Sequence, residues 1–214
     1  MKYVKNLIFC AICLCVFVST AASADINLPK PLKSGGMGVF SAIENRASGT
    51  RGAFPAGAIS DEELSTILWA AAGKNRNGDG WTVPTAGGLS PYAVVYVVMK
   101  DSAYLYDPEA NKLMGVTNGN VINNVTNDNF VKKAPVVLVF VSSTDSLGAM
   151  GKLNEGNALA YNITGAMAQN AYLACESLKI SARYMVSMNA DGVNKVLKLK
   201  KGHIPVAILP LGKK

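Results

Sequence analysis

Cysteine and histidine are scarce in this chain, and their scarcity excludes two common ways of stabilising a fold. The 214 residues include four cysteines and a single histidine, His203. Cys10, Cys13 and Cys15 lie close to the amino terminus, which leaves Cys175 alone in the rest of the chain. One cysteine cannot form an intrachain disulfide, and no spacing typical of a zinc site is present. We therefore expect no metal and no disulfide, a structural His203, and a buried Cys175 thiol within a helix.

The sequence also lacks the motifs of two large functional classes. It has no Gly-x-Ser-x-Gly elbow and no Ser/His/Asp set, which argues against a hydrolase of that kind. The formal net charge is +7, but no basic helix or stacking aromatic motif accompanies the excess lysines, so we expect no nucleic-acid partner. We interpret the carboxyl-terminal lysines as a solvated surface. They are Lys195, Lys198, Lys200, Lys201, Lys213 and Lys214.

The first 24 residues have the three parts of a secretory signal peptide. Lys2 and Lys5 form a basic start, residues 7–18 are apolar but short for a membrane span, and residues 22–24 read Ala-Ser-Ala, a cleavage site. An uncleaved membrane anchor is the alternative. No twin-arginine pair is present, and no amino-terminal cysteine follows a small residue, as lipoprotein processing requires. We expect a periplasmic or secreted mature chain that begins at Asp25 and has no stable membrane anchor after cleavage.

The remaining sequence predicts one domain with a substantial core. Half of the residues are hydrophobic, and a length of about 190 residues suits a single core. Residues 25–38 form a lead-in rich in Pro, Gly and Lys, and residues 39–214 form the domain. Ser60 and Glu63 make a capping box, apolar residues follow at helical spacing, and Gly73 closes the helix. Local signals therefore fix this helix at both ends.

The other elements are predicted from apolar periodicity and turn residues. Further helices are expected at 39–45, 157–178 and 191–197, and residues 117–133 are interpreted as either a helix or a loop. Strands are expected at 93–99, 103–106, 113–116, 135–141, 182–188 and 203–209, the first three as a meander. Helices around a mixed, mainly antiparallel sheet place the chain in the α+β class.

Two short segments are suited to the two ends of one flavin. The first contains Arg46, Ser48 and Arg51, and Arg and Ser donors fit phosphate oxygens. The second is the loop 84–88, where paired glycines let the backbone approach a flat ring closely. Together with residues 64–73, 104–108, 134–140 and 165–173, these segments resemble the nitroreductase family over residues 39–212, specifically its short branch related to the thiazoline/oxazoline dehydrogenases.

The resemblance implies a cofactor, a partner and a role for each matching residue. It implies a homodimer with FMN at the subunit interface and ping-pong hydride transfer to a small electron-poor substrate such as a nitroaromatic or quinone, with thiazoline or oxazoline oxidation as a secondary possibility. Protons can come from water, so no catalytic side chain is named. Arg46 and Ser48 match phosphate ligands, Arg51 stands near the residue at the pyrimidine edge, and Lys213 or Lys214 adds a second phosphate contact. The matching ring-loop residues are Pro84, Thr85, Ala86, Gly87 and Gly88.

The sequence departs from the family pattern at two places. Ser48 and Arg51 are separated by one extra residue, and Lys179 stands where the family tends to have Gly after the long helix. If that position needs a positive φ, Lys179 is strained there. These departures keep open a non-catalytic module that binds a flavin or another small ligand, and an interaction protein without a ligand. Trp69 is expected in the core, whereas Trp81 is the better candidate to cover a ligand.

Overall fold

A computed structural model describes residues 22–85, 91–143 and 157–214 of the protein. Its strands are β1 (Ile26–Asn27), β2 (Lys74–Asn75), β3 (Gly80–Trp81), β4 (Ala93–Val98), β5 (Ser102–Asp107), β6 (Lys112–Asn118), β7 (Val136–Ser143), β8 (Ile180–Ala182) and β9 (His203–Lys213). Its helices are α1 (Val39–Asn45), α2 (Asp61–Ala72), α3 (Ile122–Val125), α4 (Asn129–Lys132), α5 (Asn157–Ser177) and α6 (Ala190–Val196). Two short 3-10 turns cover Arg51–Ala53 and Arg76–Gly78.

One antiparallel sheet organises the described residues. Its strand order is β1-β6-β5-β4-β7-β9-β8, and β2 and β3 form a separate small hairpin. The interior strand β7 is buried along its whole length, which explains its continuous apolar sequence. It pairs antiparallel with β4 on one side and β9 on the other, with Leu138 opposite both Val97 and Leu209.

Helices cover both faces of this sheet. On one face, α2 and α5 pack together over Val95, Val97 and Phe140. On the other face, the shorter α3, α4 and α6 pack over the intervening residues of the same strands, such as Tyr96 and Val139. Side chains alternate between the two faces along a strand, so each strand contributes to two cores. The prediction of an α+β fold is confirmed.

Helix predictions that rest on local signals are confirmed. The Ser60 hydroxyl accepts from the Glu63 amide, the Glu63 carboxylate accepts from the Ser60 amide, and Gly73 is the carboxyl-terminal cap of α2. The long helix ends at Ser177, close to its predicted end. In the ambiguous region 117–133, β6 continues to Asn118 and the short helices α3 and α4 follow.

The predicted strand at 182–188 is wrong. The strand β8 covers only Ile180–Ala182, and Met185 returns to the sheet as a single bridge with Ile208. Between these two points the Arg183 amide still donates to the Pro210 carbonyl at 3.3 Å, but proline has no amide hydrogen to return the bond, so the ladder is interrupted. The Tyr184 amide donates to the hydroxyl of Tyr172. The last strand, by contrast, runs beyond its predicted end and reaches Lys213.

The predicted lead-in begins with an ordered strand. Strand β1 pairs with β6, with Ile26 opposite Leu113. The Asp25 carboxylate accepts from the Gly115 amide at 2.8 Å and lies 2.6 Å from Lys112 Nζ. Residues 1–21 of the predicted leader lie outside the described residues. Within the described ranges, no helix combines the length and the apolar character needed to cross a bilayer.

Candidate functional site

The segment that follows α1 crosses the ends of the two strands β8 and β9. Ser48 forms a parallel bridge with Ala182, and the Gly49 amide donates to the Ala182 carbonyl at 2.9 Å. Further along the segment, Gly57 forms a bridge with Lys213. Backbone contacts at both of its ends therefore hold this segment against the sheet edge, which fixes the direction of Arg46 and Ser48.

Arg46 and Ser48 meet on one side chain of the long helix, Tyr172. The Arg46 guanidinium carbon lies 5.1 Å from the centroid of the Tyr172 ring, a cation–π distance. Ser48 Oγ lies 3.0 Å from the Tyr172 hydroxyl. Tyr172 is buried, whereas Ser48 is exposed and Arg46 is half-buried. The structure thus brings together two predicted site residues, with a cation and a hydroxyl at the surface, as an anionic group requires.

Arg183 and Tyr184 belong to the same neighbourhood and were not predicted. Arg183 Nη1 donates to the Gly49 carbonyl at 2.9 Å. Arg183 Nε is buried and has no hydrogen-bond partner among the described residues. Burial raises the pKa of the Tyr184 hydroxyl, and a hydrogen bond with Thr164 opposes that rise. The one signal in the sequence was their position shortly after Lys179, which is one of the two departures from the family pattern; in the structure they directly follow β8.

Arg51 does not accompany Arg46. It lies in the 3-10 turn Arg51–Ala53, is exposed, and its guanidinium carbon is 5.8 Å from the ring centroid of Phe130 in α4. Phe130 in turn contacts Phe54, with 5.6 Å between the ring centroids. Phe130 packs against the second core and Tyr172 belongs to the first, so Arg51 and Arg46 contact aromatic rings on opposite faces of the sheet.

Lys213 has an intramolecular carboxylate partner. Its Nζ lies 2.5 Å from Glu63 Oε1, at the first turn of α2. Burial acts to raise the pKa of Glu63, but hydrogen bonds from Lys213 and Ser60 outweigh it, and the pKa falls below its ordinary value. Lys214, the alternative candidate, is exposed, and its amide is 3.4 Å from the Lys179 carbonyl.

The predicted ring loop begins on a different side of α5. The Asn170 side chain donates to the Thr82 carbonyl at 3.0 Å, which attaches the start of this loop to the helix. Asn170 and Tyr172 project about 200° apart, because consecutive helical residues rotate by about 100°. Pro84 is exposed and Thr85 is half-buried. Ala86, Gly87 and Gly88 lie outside the described residues. Within the described chain, α5 therefore separates Thr82 from the surface formed by Arg46 and Ser48.

Lys179 has the positive φ that its position suggested. Its φ is 58°, and α5 ends two residues earlier, at Ser177. A non-glycine residue in this region costs about 1 kcal/mol, because Cβ crowds the backbone. The strain lies next to β8 and therefore next to the Ser48–Ala182 bridge.

The remaining aromatic and thiol predictions have mixed outcomes. Cys175 is buried, as predicted, and burial raises the pKa of its thiol. Trp69 is only partly buried, so its assignment to the core is wrong; its indole NH donates to the Lys74 carbonyl and it lines a cavity of about 480 Å³. The ring centroid of Trp81 lies 4.1 Å from Lys74 Nζ, and Trp81 borders a smaller cavity of about 170 Å³.

Comparison with known proteins identifies relatives over most of the chain. The model of the nitroreductase family matches residues 43–213. A protein of Methanocaldococcus jannaschii assigned as a nitroreductase is 26% identical over 162 residues, covering 71% of this chain and 80% of that protein. A crystal structure from Ralstonia eutropha JMP134, also assigned as a nitroreductase, has a TM-score of 0.79 and 26% identity, covering 99% of this chain and 97% of that chain. A chain in the Escherichia coli microcin synthetase McbBCD complex has a TM-score of 0.67 and 18% identity, covering 85% of this chain and 75% of that one, which shows likeness of fold alone.

Proposed function

Because the chain belongs to the nitroreductase family and has its α+β fold, we propose that it is an exported FMN-dependent oxidoreductase. We further assign it to the short branch related to the thiazoline/oxazoline dehydrogenases. When bound, FMN supplies hydride acceptance from a donor and hydride delivery to an electron-poor acceptor such as a nitroaromatic or quinone, in ping-pong fashion. The observation that carries the proposal is the convergence of Arg46 and Ser48 on Tyr172.

The side chains on this surface fit a phosphate-bearing group. Arg46 offers a planar set of donors, and Ser48 offers a hydroxyl beside it. Arg183, on the adjoining strand end, adds a second guanidinium within 2.9 Å of the Gly49 carbonyl, and its Nε still lacks an acceptor among the described residues. Buried polar groups normally have a partner, so an arriving anion suits this arrangement. We propose Arg46 and Ser48 as the phosphate ligands and Lys213 as a further one after release from Glu63.

A second copy of the chain would complete the cofactor site. The ring loop starts beyond α5, on a different side from Arg46 and Ser48. Helix α1, which leads directly into Arg46, exposes Phe40 at 85%, Val39 at 58% and Ile43 at 53%. Adjacent exposed apolar side chains typically mark an interaction surface. We propose that two copies pair through α1 and that the flavin held by Arg46 and Ser48 of one copy lies at the interface with the other.

Export sets a condition on the reaction. A chain secreted in an unfolded state must acquire FMN outside the cytoplasm, where nicotinamide cofactors are scarce. The physiological electron donor therefore need not be NADH or NADPH. We propose that the mature protein, from Asp25, is periplasmic or secreted, on the basis of the leader described above.

Turnover of the flavin-loaded protein tests the enzymatic proposal. Flavin-loaded protein is mixed anaerobically with NADH, NADPH or a reduced quinol, and absorbance near the flavin band is followed before and after addition of a nitroaromatic or a quinone. Bleaching by a donor and recovery with an acceptor support an oxidoreductase. The contrary result is a bound flavin that dithionite can reduce but that every acceptor reoxidises no faster than free FMN. That result contradicts the enzymatic proposal.

A second candidate function is a binding module that holds flavin without turnover. Two observations favour it. Lys213 forms an ion pair with Glu63, and Arg51 lies over the ring of Phe130, so two predicted cations are engaged elsewhere. The positive φ of Lys179 next to β8 points the same way. Retained flavin without turnover in the experiment above supports this module over the enzyme.

A further inference from the structure

The hydroxyl of Tyr172 joins two parts of the chain that are far apart in sequence. It accepts a hydrogen bond from the Tyr184 amide at 2.6 Å, and it lies 3.0 Å from Ser48 Oγ. Tyr172 is 6% exposed, and these two groups are the protein partners of its hydroxyl. The hydroxyl is therefore held between a backbone donor on one side and a surface serine on the other.

The number of hydrogens fixes the direction of the bond between Tyr172 and Ser48. A phenol hydroxyl carries one hydrogen and accepts through its oxygen lone pairs. The Tyr184 amide already donates to that oxygen, so the tyrosine hydrogen must find an acceptor elsewhere. Within the described residues that acceptor is Ser48 Oγ. If Ser48 donated instead, a buried hydroxyl hydrogen would be left unpaired, which costs about 1–3 kcal/mol.

This direction determines what Ser48 offers to a ligand. When Ser48 Oγ accepts from Tyr172, its own hydrogen remains available to an outside acceptor. Ser48 is exposed, and the Arg46 guanidinium lies over the Tyr172 ring beside it. A donor next to a cation favours an anionic oxygen over a neutral hydroxyl, because hydrogen bonds to charged acceptors are the stronger ones.

We propose that Tyr172 is a positioning residue that orients the Ser48 hydroxyl towards a phosphate, so that this site selects phosphorylated flavin (FMN) over riboflavin. The inference rests on the proposed flavin-binding function. Tyr172 would act through Ser48, without touching the ligand itself. Tyr172→Phe keeps the ring beneath Arg46 and removes the hydroxyl, and with it the acceptor of the Tyr184 amide, so it separates the role of the hydroxyl from the packing of the ring.

Equilibrium binding of two probes tests the proposal. FMN and riboflavin are titrated by flavin fluorescence into the wild-type mature chain and into Tyr172→Phe, Ser48→Ala and the double variant. We expect Tyr172→Phe to weaken FMN binding about tenfold and to leave riboflavin binding within about twofold, since riboflavin lacks the phosphate. In the Ser48→Ala background, Tyr172→Phe should cause no further loss of FMN affinity.

Tyr106→Phe is the matched control. Tyr106 is also a buried tyrosine of the α2–α5 face, and its hydroxyl donates to Asn111 Oδ1 at 3.1 Å. This variant should bind both probes as the wild type does. Thermal unfolding of Tyr172→Phe checks that the variant is folded. The ratio of its FMN affinity to its riboflavin affinity does not change if part of the protein is inactive.

Three results overturn the proposal, and they differ in what else they affect. An unchanged ratio of FMN to riboflavin affinity in Tyr172→Phe removes the role of Tyr172 and leaves the flavin function standing. Equal wild-type affinities for FMN and riboflavin also remove it, because the site would then not recognise phosphate. If the wild type binds neither FMN nor riboflavin, both this inference and the proposed function are overturned.

Discussion

Lys213 and Glu63 form an ion pair that joins the last strand of the sheet to the first turn of a helix, with 2.5 Å between Nζ and Oε1. Glu63 also closes the capping box of α2 through the Ser60 amide. One carboxylate therefore stabilises a helix terminus and holds a lysine that, with Lys214, is one of the two candidates for a phosphate contact implied by the family resemblance.

Neutralising Glu63 should destabilise the protein in a way that depends on pH. The pKa of Glu63 is lowered in the folded state from an ordinary value of 4.5, so its contribution is present above that value and is lost as the pH falls through the folded pKa. We expect Glu63→Gln to reduce the free energy of unfolding by about 1 kcal/mol at pH 7. Urea denaturation at pH 7 and at acidic pH measures the difference, which should shrink at the lower pH. A difference that is the same at both values would exclude the charge as its cause.

Removal of the Arg46 guanidinium should weaken FMN binding. Loss of a charge-assisted phosphate contact is worth about 2 kcal/mol, so Arg46→Ala should lose FMN affinity by about thirtyfold. Fluorescence titration measures it, and Arg76→Ala, which removes an exposed arginine from the Arg76–Gly78 turn, is the matched control. Arg51→Ala should have a smaller effect than Arg46→Ala, because Arg51 lies against Phe130. Equal FMN affinities for wild type and Arg46→Ala would remove Arg46 from the site.

Glycine at position 179 should stabilise the fold. Lys179 has a φ of 58°, where glycine carries no Cβ penalty. We expect Lys179→Gly to be more stable than Lys179→Ala by about 1 kcal/mol, since alanine lacks the lysine charge but retains the crowded Cβ. Chemical denaturation of the two variants in parallel isolates the backbone effect. Equal stability would show that this backbone conformation is not strained.

A charge at the centre of the exposed α1 surface should prevent pairing of two copies. Phe40 is 85% exposed and would be buried in the proposed dimer. Phe40→Asp should therefore shift the protein to the mass of a monomer in light scattering and reduce its retention of FMN. Asn118→Asp places the same charge on an exposed residue at the end of β6 and should remain dimeric. A Phe40→Asp chain that stays dimeric would exclude α1 as the pairing surface.

The features that could be predicted from sequence are those with local causes. The capping box and Gly73 fixed the bounds of α2, and the apolar run at 135–141 indicated the strand that the structure gives as β7, Val136–Ser143. The positive φ of Lys179 followed from comparison with a family pattern rather than from any local rule.

Contacts between distant residues could not be predicted in the same way. Ser48 and Tyr172 are 124 positions apart, and the periodicity of α5 shows only that Tyr172 lies on a particular side of a helix. The error at 182–188 also depends on a distant residue, because Pro210, opposite Arg183, has no amide hydrogen to complete the ladder. Arg183 was overlooked because its value as a cation depends on its nearness to Gly49, which only the fold creates.

Whether this chain holds FMN is decided by one absorbance spectrum. Purified mature protein, residues 25–214, is incubated with excess FMN and desalted, and its absorbance is recorded beside that of an untreated sample. We expect retained flavin bands at about one FMN per chain. A colourless protein after desalting, with no change of flavin fluorescence on titration, would contradict it and would leave a family fold that serves as an interaction protein without a flavin.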